Sequence, residues 1–547
     1  MTDPASTEPA QVTFFVDGEE VSVPDNGVSL LAALRGRLGV RAPKAGCNPQ
    51  GQCGCCTVLV DGAPRVACVT PVRRIAGRVI TTVDGLAEED RERWSDALLA
   101  TGGSQCGFCT PGIVCRLEGL RSKNTAPDDL DAVDRALAAH LCRCTGWQTI
   151  REAWSMVVSG SSVVEHARGQ ERDLGAASRR ATIEGHSLQQ VSADVVLGRG
   201  GFAEDTAPSD ALVAVPDGDG GWVVAGSLPE ARALAGKVQG RHGTTSPEPP
   251  LALPDGDWTL RLRTGWVEPA YLETDASWCE PGGESFTSLA NGGAFGGKIS
   301  TDVGRIAREL ADEHGRTVRV VLSREDVVRT GPKRPPIAAG LRADGTGIIR
   351  VVRTDGIADA IRGVAPQFVI EEVDVVGPPT SAFIRGAGVV EAQLLLAALT
   401  AKRADSADDA GSRSATVTSS EGATATVAVG LDGVVRVDLR CGQLLDAIVL
   451  RSYVIGAVHM ALGWVTSEGL SVDADGVISD LTIRSFGVLR SADMPHVEVT
   501  LHEGETPPVN GSDAVFAATA AAVWSAQGWP TDWPTGRSIL ADTPVTQ

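Results

Sequence analysis

The stretch QCGFCTPG, residues 105–112, holds a pair of cysteines, and LCRCTGW, residues 141–147, holds a second pair further along the chain. The first pair opens a segment with helical character, and Pro111 lies near its first turn, where a missing amide does least harm. The second pair follows an amphipathic helix and precedes another helix, predicted to begin at Thr145. Helix N-termini stabilise thiolate and cluster charge through free amides and the helix dipole. The pattern therefore predicts a cage of four thiolates from Cys106, Cys109, Cys142 and Cys144.

A further group of cysteines lies upstream, in the glycine-rich loop KAGCNPQGQCGCC of residues 44–56. Alternating patterns predict a hairpin on each side of this loop, over residues 11–23 and 57–68, and apolar spacing predicts a helix after the first hairpin. A plant-type [2Fe-2S] site requires three thiolates from one loop, a fourth from a neighbouring strand, and loop amides that donate to the sulfurs. The predicted ligands of this first site are Cys47, Cys53, Cys56 and Cys68.

Alternatives remain at this loop. The spacing from Cys47 to Cys53 is C-x5-C, one residue longer than the usual C-x4-C, so Pro49 is expected to help absorb the extra residue. Cys55 is then a surplus thiol, and a switch of ligand from Cys56 to Cys55 stays open. A closed tetrahedral zinc site is the other alternative, although zinc ligands usually come as two separated C-x2-C knuckles. In the helical segment Cys115 is interpreted as a buried apolar thiol.

Composition narrows the class of protein. The chain has 547 residues, which predicts several domains, and its net charge of −20 disfavours nucleic acid and anionic lipid as partners. Ten of the twelve cysteines lie between Cys47 and Cys144, a distribution that favours metal over a disulfide scaffold. No apolar run approaches the ~20 residues of a membrane span, and the N-terminal residues lack a secretion signal. We therefore expect a soluble, cytoplasmic protein that does not bind membranes.

Together these motifs resemble the iron–sulfur domain of the xanthine dehydrogenase/aldehyde oxidase/CO dehydrogenase family of molybdenum hydroxylases, over residues 11 to 158. The resemblance implies an α+β multidomain fold with two [2Fe-2S] clusters. Residues 1–80 would form a β-grasp ferredoxin-like domain, and residues 81–158 a helical bundle that holds the cluster nearer the molybdenum. Gln105 takes the place of the family glutamine that contacts the pterin.

The remaining chain is divided into two parts. Residues 159–192 are polar, Gly/Ser-rich and weakly periodic, which predicts a linker across the surface. Residues 193–547 resemble the family's molybdopterin-binding region in shortened form, with an α+β fold. No segment long enough for a flavin domain separates the two parts, so no FAD is expected in this chain. Residues 401–425 are rich in Ala, Ser and Asp, which predicts a mobile insertion or a domain junction.

Two loops are similar to the family's cofactor loops. NGGAFGGK, residues 291–298, is a glycine cradle in which backbone amides can approach an oxygen-rich ligand and a phenylalanine can cover one face of the metal. SAFIRGAG, residues 381–388, carries an arginine in a glycine turn. A flexible surface loop is the alternative for the first of them. The implied cofactor-binding residues are Gly292, Gly293, Phe295, Gly296, Gly297 and Arg385.

Late segments continue the resemblance. Residues 437–470 predict a strand and a glycine-studded helix against the pterin, with Tyr453 where the family has a glutamine, and residues 476–499 alternate as a strand does. Asp513 takes the place of the family's catalytic glutamate, with a side chain one methylene shorter. A base must lie within ~3 Å of the proton that it takes. The alternative is that Ser512 or Asp513 is the N-cap of the helix that follows.

The implied function is a molybdenum hydroxylase-type oxidoreductase that oxidises an aldehyde, an N-heterocycle or another small carbon substrate. Electrons would pass from molybdenum through the second site and then the first to an external acceptor or a flavin-containing subunit. The shortened region could require a second copy or another chain to complete its pocket. The alternatives are a non-catalytic electron-transfer subunit of a larger complex, and an iron–sulfur protein whose larger region has lost its cofactor.

Overall fold

The computed structural model describes residues 10–160, 172–236, 238–286, 293–405 and 413–539. Over these ranges the chain forms four β-sheets with helices packed against them, which confirms the predicted α+β multidomain class. One large apolar cluster runs from the N-terminal sheet into the last helices, so the cysteine-rich part and the larger part share core contacts.

The first sheet carries the upstream cysteine loop. Its strands are β1 (Gln11–Val16), β2 (Glu19–Pro24), β3 (Thr57–Val60), β4 (Ala63–Val66) and β5 (Val79–Thr81). Their order is β2-β1-β5-β3-β4, with β5 parallel to β1 and an antiparallel hairpin at each side. Both predicted hairpins form, and Asp17 and Gly18 both have the positive φ angles that a tight two-residue turn needs. Helix α1 (Leu30–Gly36) follows β2 as expected.

A helical unit follows and carries the downstream cysteines. Its helices are α2 (Glu88–Thr101), α3 (Thr110–Arg121), α4 (Leu130–Leu137) and α5 (Gln148–Ser159). Pro111 lies in the first turn of α3, as predicted. Helix α5 begins at Gln148 rather than at the predicted Thr145, because Gly146 and Trp147 adopt positive φ angles that a right-handed helix cannot contain.

The linker prediction is wrong for the part of residues 159–192 that the structure describes beyond residue 171. Helix α6 (Leu174–Gly185) lies there and packs into the core. Arg180 and Glu184 are fully buried and form an ion pair of 2.9 Å. Arg180 also donates to the carbonyls of Leu444 and Gln443. A charged pair on the buried face hides the apolar period by which a helix is ordinarily recognised in sequence.

The larger part contains three sheets. The second sheet, in the order β7-β6-β10-β9, consists of β6 (Leu212–Pro216), β7 (Trp222–Ala225), β9 (Ala276–Cys279) and β10 (Val318–Val321). The third sheet, in the order β13-β12-β11-β8-β18, consists of β8 (Leu260–Thr264), β11 (Ile337–Leu341), β12 (Gly347–Val352), β13 (Phe368–Val373) and β18 (Asp532–Trp533). The fourth sheet, in the order β14-β15-β16-β17, consists of β14 (Ser414–Thr418), β15 (Thr424–Val429), β16 (Val435–Arg440) and β17 (Val497–His502).

Helices cover these sheets. They are α7 (Ala193–Val196), α8 (Ala203–Thr206), α9 (Leu228–Ala235), α10 (Val303–His314), α11 (Arg324–Thr330), α12 (Ile357–Val364), α13 (Val389–Asp405), α14 (Ala447–Thr466) and α15 (Ser512–Ala526). The strand-to-helix order predicted for residues 437–470 is observed as β16 followed by α14. Of the alternation predicted for residues 476–499, however, only the start of β17 is a named strand, and two short 3-10 helices precede it.

The predicted mobile insertion over residues 401–425 is also partly wrong. Helix α13 continues to Asp405, and β14 pairs with β15 as an antiparallel hairpin. Ala415, Val417, Ala425 and Val427 alternate inward and are buried. The low-complexity composition masks an alternation of small apolar and hydroxyl side chains that suits a half-buried strand.

The expectation that no segment is long and apolar enough to span a membrane is wrong for helix α14. By length and composition it passes that test, with a mean hydropathy of 1.5. Inside the protein, however, 89% of the apolar window is buried, and the helix packs along α15. Arg451 and His459 interrupt the apolar run, which is why it escapes a search for uninterrupted apolar sequence.

Candidate functional site

The upstream cysteines form a tetrad, which we call tetrad 1: Cys47, Cys53, Cys56 and Cys68. The Cys47 thiol contacts those of Cys53 and Cys68, and Cys68 in turn contacts Cys56. These contacts, with the Gln52 and Gln50 amides that donate to the Cys47 sulfur at 3.5 and 3.3 Å, hold the pKa of Cys47 well below its usual value. The structure thus brings the four predicted ligands together with the amide donors that a cluster needs.

The extra residue of the C-x5-C loop is accommodated by Asn48, which has a φ of 44°, and by Gly51 at 72°. The Asn48 side chain is buried and donates to the Leu322 carbonyl at 3.3 Å, so the larger part of the chain holds this loop. Cys55 is buried and contacts Cys53, whereas Cys56 is the residue that contacts Cys68. This placement favours Cys56 over Cys55 as the ligand.

The downstream cysteines form tetrad 2: Cys106, Cys109, Cys142 and Cys144. Cys142 contacts Cys109 and Cys144, and the sulfurs of Cys144 and Cys106 are 3.7 Å apart. Contacts from Cys109 and Cys144, together with Thr145, hold the pKa of Cys142 well below its usual value. Cys109 is the N-cap of α3, where the helix dipole favours negative charge. Cys115 lies outside both tetrads, and burial raises its thiol pKa, as expected of an apolar thiol.

Zinc is the alternative occupant of the two tetrads. Within the described ranges, no three His, Cys, Asp or Glu side chains are grouped as ligands of one metal ion. A [2Fe-2S] cluster spreads its four thiolates over two iron atoms, whereas zinc draws them onto one centre. The recorded contacts run from one thiol to the next, as Cys53–Cys47–Cys68–Cys56 and as Cys109–Cys142–Cys144–Cys106, and metal content decides between the cluster and zinc.

The backbone segments that carry the two tetrads are in contact. The amide of Leu141, the residue before Cys142, donates to the carbonyl of Cys53 at 3.0 Å. Gly112 at the start of α3 packs against the Gly54 carbonyl, with which a Cβ would overlap. His140 packs on Gly54, and burial lowers its pKa to about 3, so it stays neutral between the two sites. One hydrogen bond thus links a tetrad 1 ligand to the neighbour of a tetrad 2 ligand.

Gln105 lies where tetrad 2 meets α14. Its amide nitrogen donates to the Cys144 carbonyl at 3.1 Å and to the Ser452 hydroxyl at 2.9 Å. Its Oε1 atom is buried without a hydrogen-bond partner among the described residues. A buried carbonyl oxygen in that state is costly unless a ligand donates to it.

The structure describes the first cofactor loop from Gly293 onward, and Gly292 lies outside the described residues. Gly293 rests on tetrad 2, because a Cβ there would lie 3.0 Å from the Cys144 sulfur and 3.4 Å from that of Cys106. Gly296, with a φ of 91°, packs against the Phe383 carbonyl, and Gly297 packs against Pro269. Their lack of side chains is therefore explained by the close approach of protein loops.

Phe295 and Arg385 form the next layer. The Arg385 guanidinium lies 4.1 Å from the centre of the Phe295 ring, and that ring meets Tyr453 edge-on at 6.4 Å. The amide of Arg385 also donates to the Phe295 carbonyl at 2.9 Å. The two predicted loops are thus brought together, and Tyr453 completes the group between them and tetrad 2.

Asp513 is paired with Arg385 and with His186. Its Oδ1 accepts from Arg385 Nε at 2.7 Å, and its Oδ2 accepts from His186 Nε2 at 2.8 Å. Burial raises the carboxyl pKa, but the charges and hydrogen bonds of Arg385 and His186 outweigh it and hold the pKa at about 2. In this arrangement Asp513 is a stable anion and a weak proton acceptor.

The N-cap alternative is wrong. Helix α15 has Gly511 at its N-cap, and neither Ser512 nor Asp513 caps it with a side chain. Instead the Asn510 side chain accepts from the Asp513 amide, and Glu184 of α6 accepts from the amides of Gly511 and Ser512. The free amides are satisfied by residues far away in sequence, which propensity at a helix start cannot reveal.

Comparison with known proteins places this site. A model of the [2Fe-2S] binding domain matches residues 82–155. The chain is also 39% identical, over 129 residues, to a probable xanthine dehydrogenase subunit of Bacillus subtilis, and the match covers 24% of this chain and 72% of that protein. The chain belongs to the xanthine dehydrogenase family of molybdenum hydroxylases.

Two aldehyde oxidoreductases are matched over other shares of the chains. The aldehyde oxidoreductase of Megalodesulfovibrio gigas is 36% identical over 168 residues, which is 30% of this chain and only 18% of that protein. The solved aldehyde oxidoreductase of Desulfovibrio desulfuricans ATCC 27774 covers 96% of this chain and 99% of its own, with a TM-score of 0.65 and 15% identity. At that identity the likeness shows the fold alone, and it extends through the larger part of the chain.

The residues around Gln105 and Arg385 fit a bound pterin. Besides Gln105 Oε1, the Arg385 Nη1 atom is buried without a partner among the described residues. The glutamine oxygen is an acceptor and the arginine nitrogen is a donor, and a pterin ring with its phosphate group offers the complement of both.

The loop of residues 381–388, which carries Arg385, is held in place by two further hydrogen bonds. Glu391 accepts from the Gly388 amide at 2.9 Å, and Arg334 donates to the Arg385 carbonyl at 2.9 Å.

Three residues around this site, His186, Glu184 and Ser452, are not among those predicted from the sequence. His186 and Glu184 fall in the segment interpreted as a linker, and Ser452 lies beside the noted Tyr453. A useful signal was the EGH tripeptide of residues 184–186, because an acidic residue and a histidine at a helix end are more than a spacer needs.

We expect Asp513→Asn to lower the free energy of unfolding by about 2 kcal/mol near pH 7, because the folded-state pKa of about 2 lies below the ordinary 3.8. An unfolded carboxyl protonates first as the pH falls, so this contribution is complete above about pH 4 and is lost towards pH 2. Denaturant unfolding at several pH values measures it. Asp359→Asn, at an exposed pair with Arg362, is the control and should change little. An equal loss for Asp513→Asn at pH 2.5 and pH 7 would contradict the ion-pair explanation.

Proposed function

We propose that this chain is a molybdenum hydroxylase-type oxidoreductase. It would oxidise an aldehyde, an N-heterocycle or another small carbon substrate and pass the electrons through two [2Fe-2S] clusters to an external acceptor. The observation that carries the proposal is the contact of tetrad 1 with tetrad 2 through Leu141 and Cys53, beside a Gln105 whose buried Oε1 lacks a donor among the described residues. We propose no FAD for this chain, so a flavin, where one is used, would come from another subunit.

Bound molybdopterin would supply the hydroxylation chemistry and take up the substrate electrons. Gln105 Oε1 and Arg385 Nη1 would hold it, and Phe295 would cover one face together with Tyr453. Both oxygens of Asp513 already accept hydrogen bonds, from Arg385 and His186. We therefore propose that Asp513 orients Arg385 in this arrangement, and its role as the catalytic base stays a prediction that requires one of those bonds to open.

The electron route follows from the tetrads. Tetrad 2 adjoins Gly293 and Gln105, so it would receive electrons first, and tetrad 1 would release them. We also propose that the protein is cytoplasmic. We propose a homodimer or a hetero-oligomer, because residues 193–547 are short for the family's molybdopterin-binding region.

A second candidate is a non-catalytic electron-transfer subunit of a larger complex. Protein atoms already occupy part of the proposed cofactor site, and this favours the electron-transfer subunit. Gly296 and Gly297 are covered by protein loops, and Asp513 is held in an ion pair. In that case the clusters would be present without molybdenum.

Metal content separates the candidates. We expect about four iron atoms and about one molybdenum per chain after expression with cofactor supply, and paramagnetic signals of two reduced clusters after dithionite. Cys109→Ala should lose about half of the iron. Cys115→Ala, also a buried cysteine of the α3 region but outside the tetrads, should keep all of it. Iron without molybdenum would select the electron-transfer subunit, and an iron content unchanged by Cys109→Ala would refute the assignment of tetrad 2.

A further inference from the structure

The segment that carries Cys68 has a charge opposite to that of the whole chain. The net charge is −20, yet residues 62–83 contain four arginines and neither Asp nor Glu. The four arginines are all exposed: Arg65, Arg73, Arg74 and Arg78. Arg78 pairs with Asp61 at 3.7 Å, whereas Arg73 and Arg74 have no ion-pair partner within the described part of the chain. This segment is therefore a positive island on an acidic protein.

The island lies over tetrad 1. Cys68 is 7% exposed, and the next residue, Val69, is 59% exposed. Val69 also touches the cysteine loop, since a Cβ on Gly51 would lie 2.9 Å from its Cγ1 atom. An exposed apolar side chain therefore lies against the loop that carries Cys47 and Cys53, and Arg73 and Arg74 lie in the short 3-10 helix that follows it in sequence.

The larger part of the chain covers other sides of the same loop. Arg324 donates to the Gly46 carbonyl at 2.8 Å, Asn48 is bound to Leu322, and Gln50 donates to Glu325 at 2.9 Å. At the rim of the loop the exposed Arg484 donates to the Gln52 carbonyl at 3.4 Å and adds a further positive charge. Val69 and Arg484 thus lie at the solvent edge of this loop, and Arg73 and Arg74 follow Val69 by four and five residues.

We propose that this surface, made of Val69, Arg73, Arg74 and Arg484, docks a small acidic protein that carries one electron. The proposal rests on the proposed function, in which electrons leave through tetrad 1. A small apolar centre with a charged rim suits the brief, small interfaces of electron-transfer partners. Opposite charges speed the encounter, and the negative charge elsewhere on the chain repels an acidic partner from unproductive sites.

The proposed step transfers one electron and no chemical group. One electron leaves the reduced cluster of tetrad 1, which returns to its oxidised state, and the one-electron centre of the carrier is reduced by it. No bond is formed or broken in the step. Oxidation of one substrate molecule by two electrons would reduce two carrier molecules.

The test uses two one-electron probes of opposite charge, an acidic plastocyanin and a basic cytochrome c. The holoprotein is reduced with dithionite, freed of excess reductant and mixed with either probe, so the result depends on the clusters and not on substrate or molybdenum. At low ionic strength we expect plastocyanin to be reduced faster than cytochrome c, and we expect the rate of plastocyanin reduction to fall as salt is added. Arg73→Glu with Arg74→Glu should slow plastocyanin about tenfold and speed cytochrome c.

Controls separate docking from damage. Arg353→Glu with Arg362→Glu makes the same charge change on another exposed face and should leave both rates within about twofold. Iron content and the signals of the reduced clusters must be intact, and Arg73→Gln with Arg74→Gln replaces the charge reversal if they are not. Unchanged plastocyanin kinetics in the island variant, or an equal fall in the control, would overturn the proposal. Binding of anionic phospholipid vesicles through Arg73 and Arg74, with plastocyanin unaffected, would overturn it in favour of a membrane surface.

Discussion

Gly456→Ala is expected to destabilise the protein by about 3 kcal/mol and to disturb tetrad 2, because a Cβ at this position would overlap the Cys144 carbonyl. The neighbouring Ile455 carbonyl packs closely on Gly146, so neither backbone segment has room to retreat. Gly456 is thus one of the points at which α14 touches the segment that carries Cys142 and Cys144. Denaturant unfolding, iron content and the spectrum of the reduced clusters measure the effect.

Gly363→Ala is the matched control for that prediction. Gly363 lies within α12 and is exposed, and a Cβ added there would have no other atom within 4 Å among the described residues. Alanine is the better helix former, so this change should stabilise the protein slightly, by at most about 1 kcal/mol. If Gly456→Ala kept its full iron and its stability, α14 would not fix the position of tetrad 2.

The grouping of the cysteines could be predicted from sequence because its signals are local. Cys106 and Cys109 are three positions apart, and the ligand spacing itself reports the chemistry. The first hairpin was equally readable, since Asp17 and Gly18 provide the turn between two alternating segments. In both cases a short stretch of chain holds the information.

The surroundings of Asp513 could not be predicted in this way. His186 and Arg385 are 327 and 128 positions away from it, and the ion pairs depend on how α6, the arginine loop and α15 pack. Helix α6 escaped detection for a related reason, because its buried face carries Arg180 and Glu184 among small alanines. Buried polar contacts between distant segments leave no periodic signal in the sequence.

The requirement for glycine at the first cofactor loop shows the same limit. Gly296 is a sequence signal that suggests a ligand cradle, but the atom next to it is the Phe383 carbonyl. A glycine pattern reports that something approaches the backbone closely, and only the fold tells whether that is a ligand or another loop.

Arg143→Met is expected to lower the free energy of unfolding by about 3–5 kcal/mol and to shift the signal of the reduced tetrad 2 cluster. Arg143 lies between Cys142 and Cys144, and its guanidinium binds both oxygens of Glu468, one of them at 2.9 Å. Its Nε also donates to the Pro269 carbonyl at 3.0 Å. The two side chains are 4% and 1% exposed, so the loss of either charge leaves the other buried without its partner.

A double variant distinguishes the ion pair from general packing. Arg143→Met combined with Glu468→Leu removes both charges and fills a similar volume, so it should cost less than the sum of the single changes. Arg353→Met, at an exposed pair with Asp374, is the surface control and should cost less than about 1 kcal/mol. Additive losses in the double variant would mean that each side chain acts by packing alone. A non-additive result, with the tetrad 2 signal displaced in each single variant, would identify this pair as the clamp that fixes the cluster against the larger part of the chain.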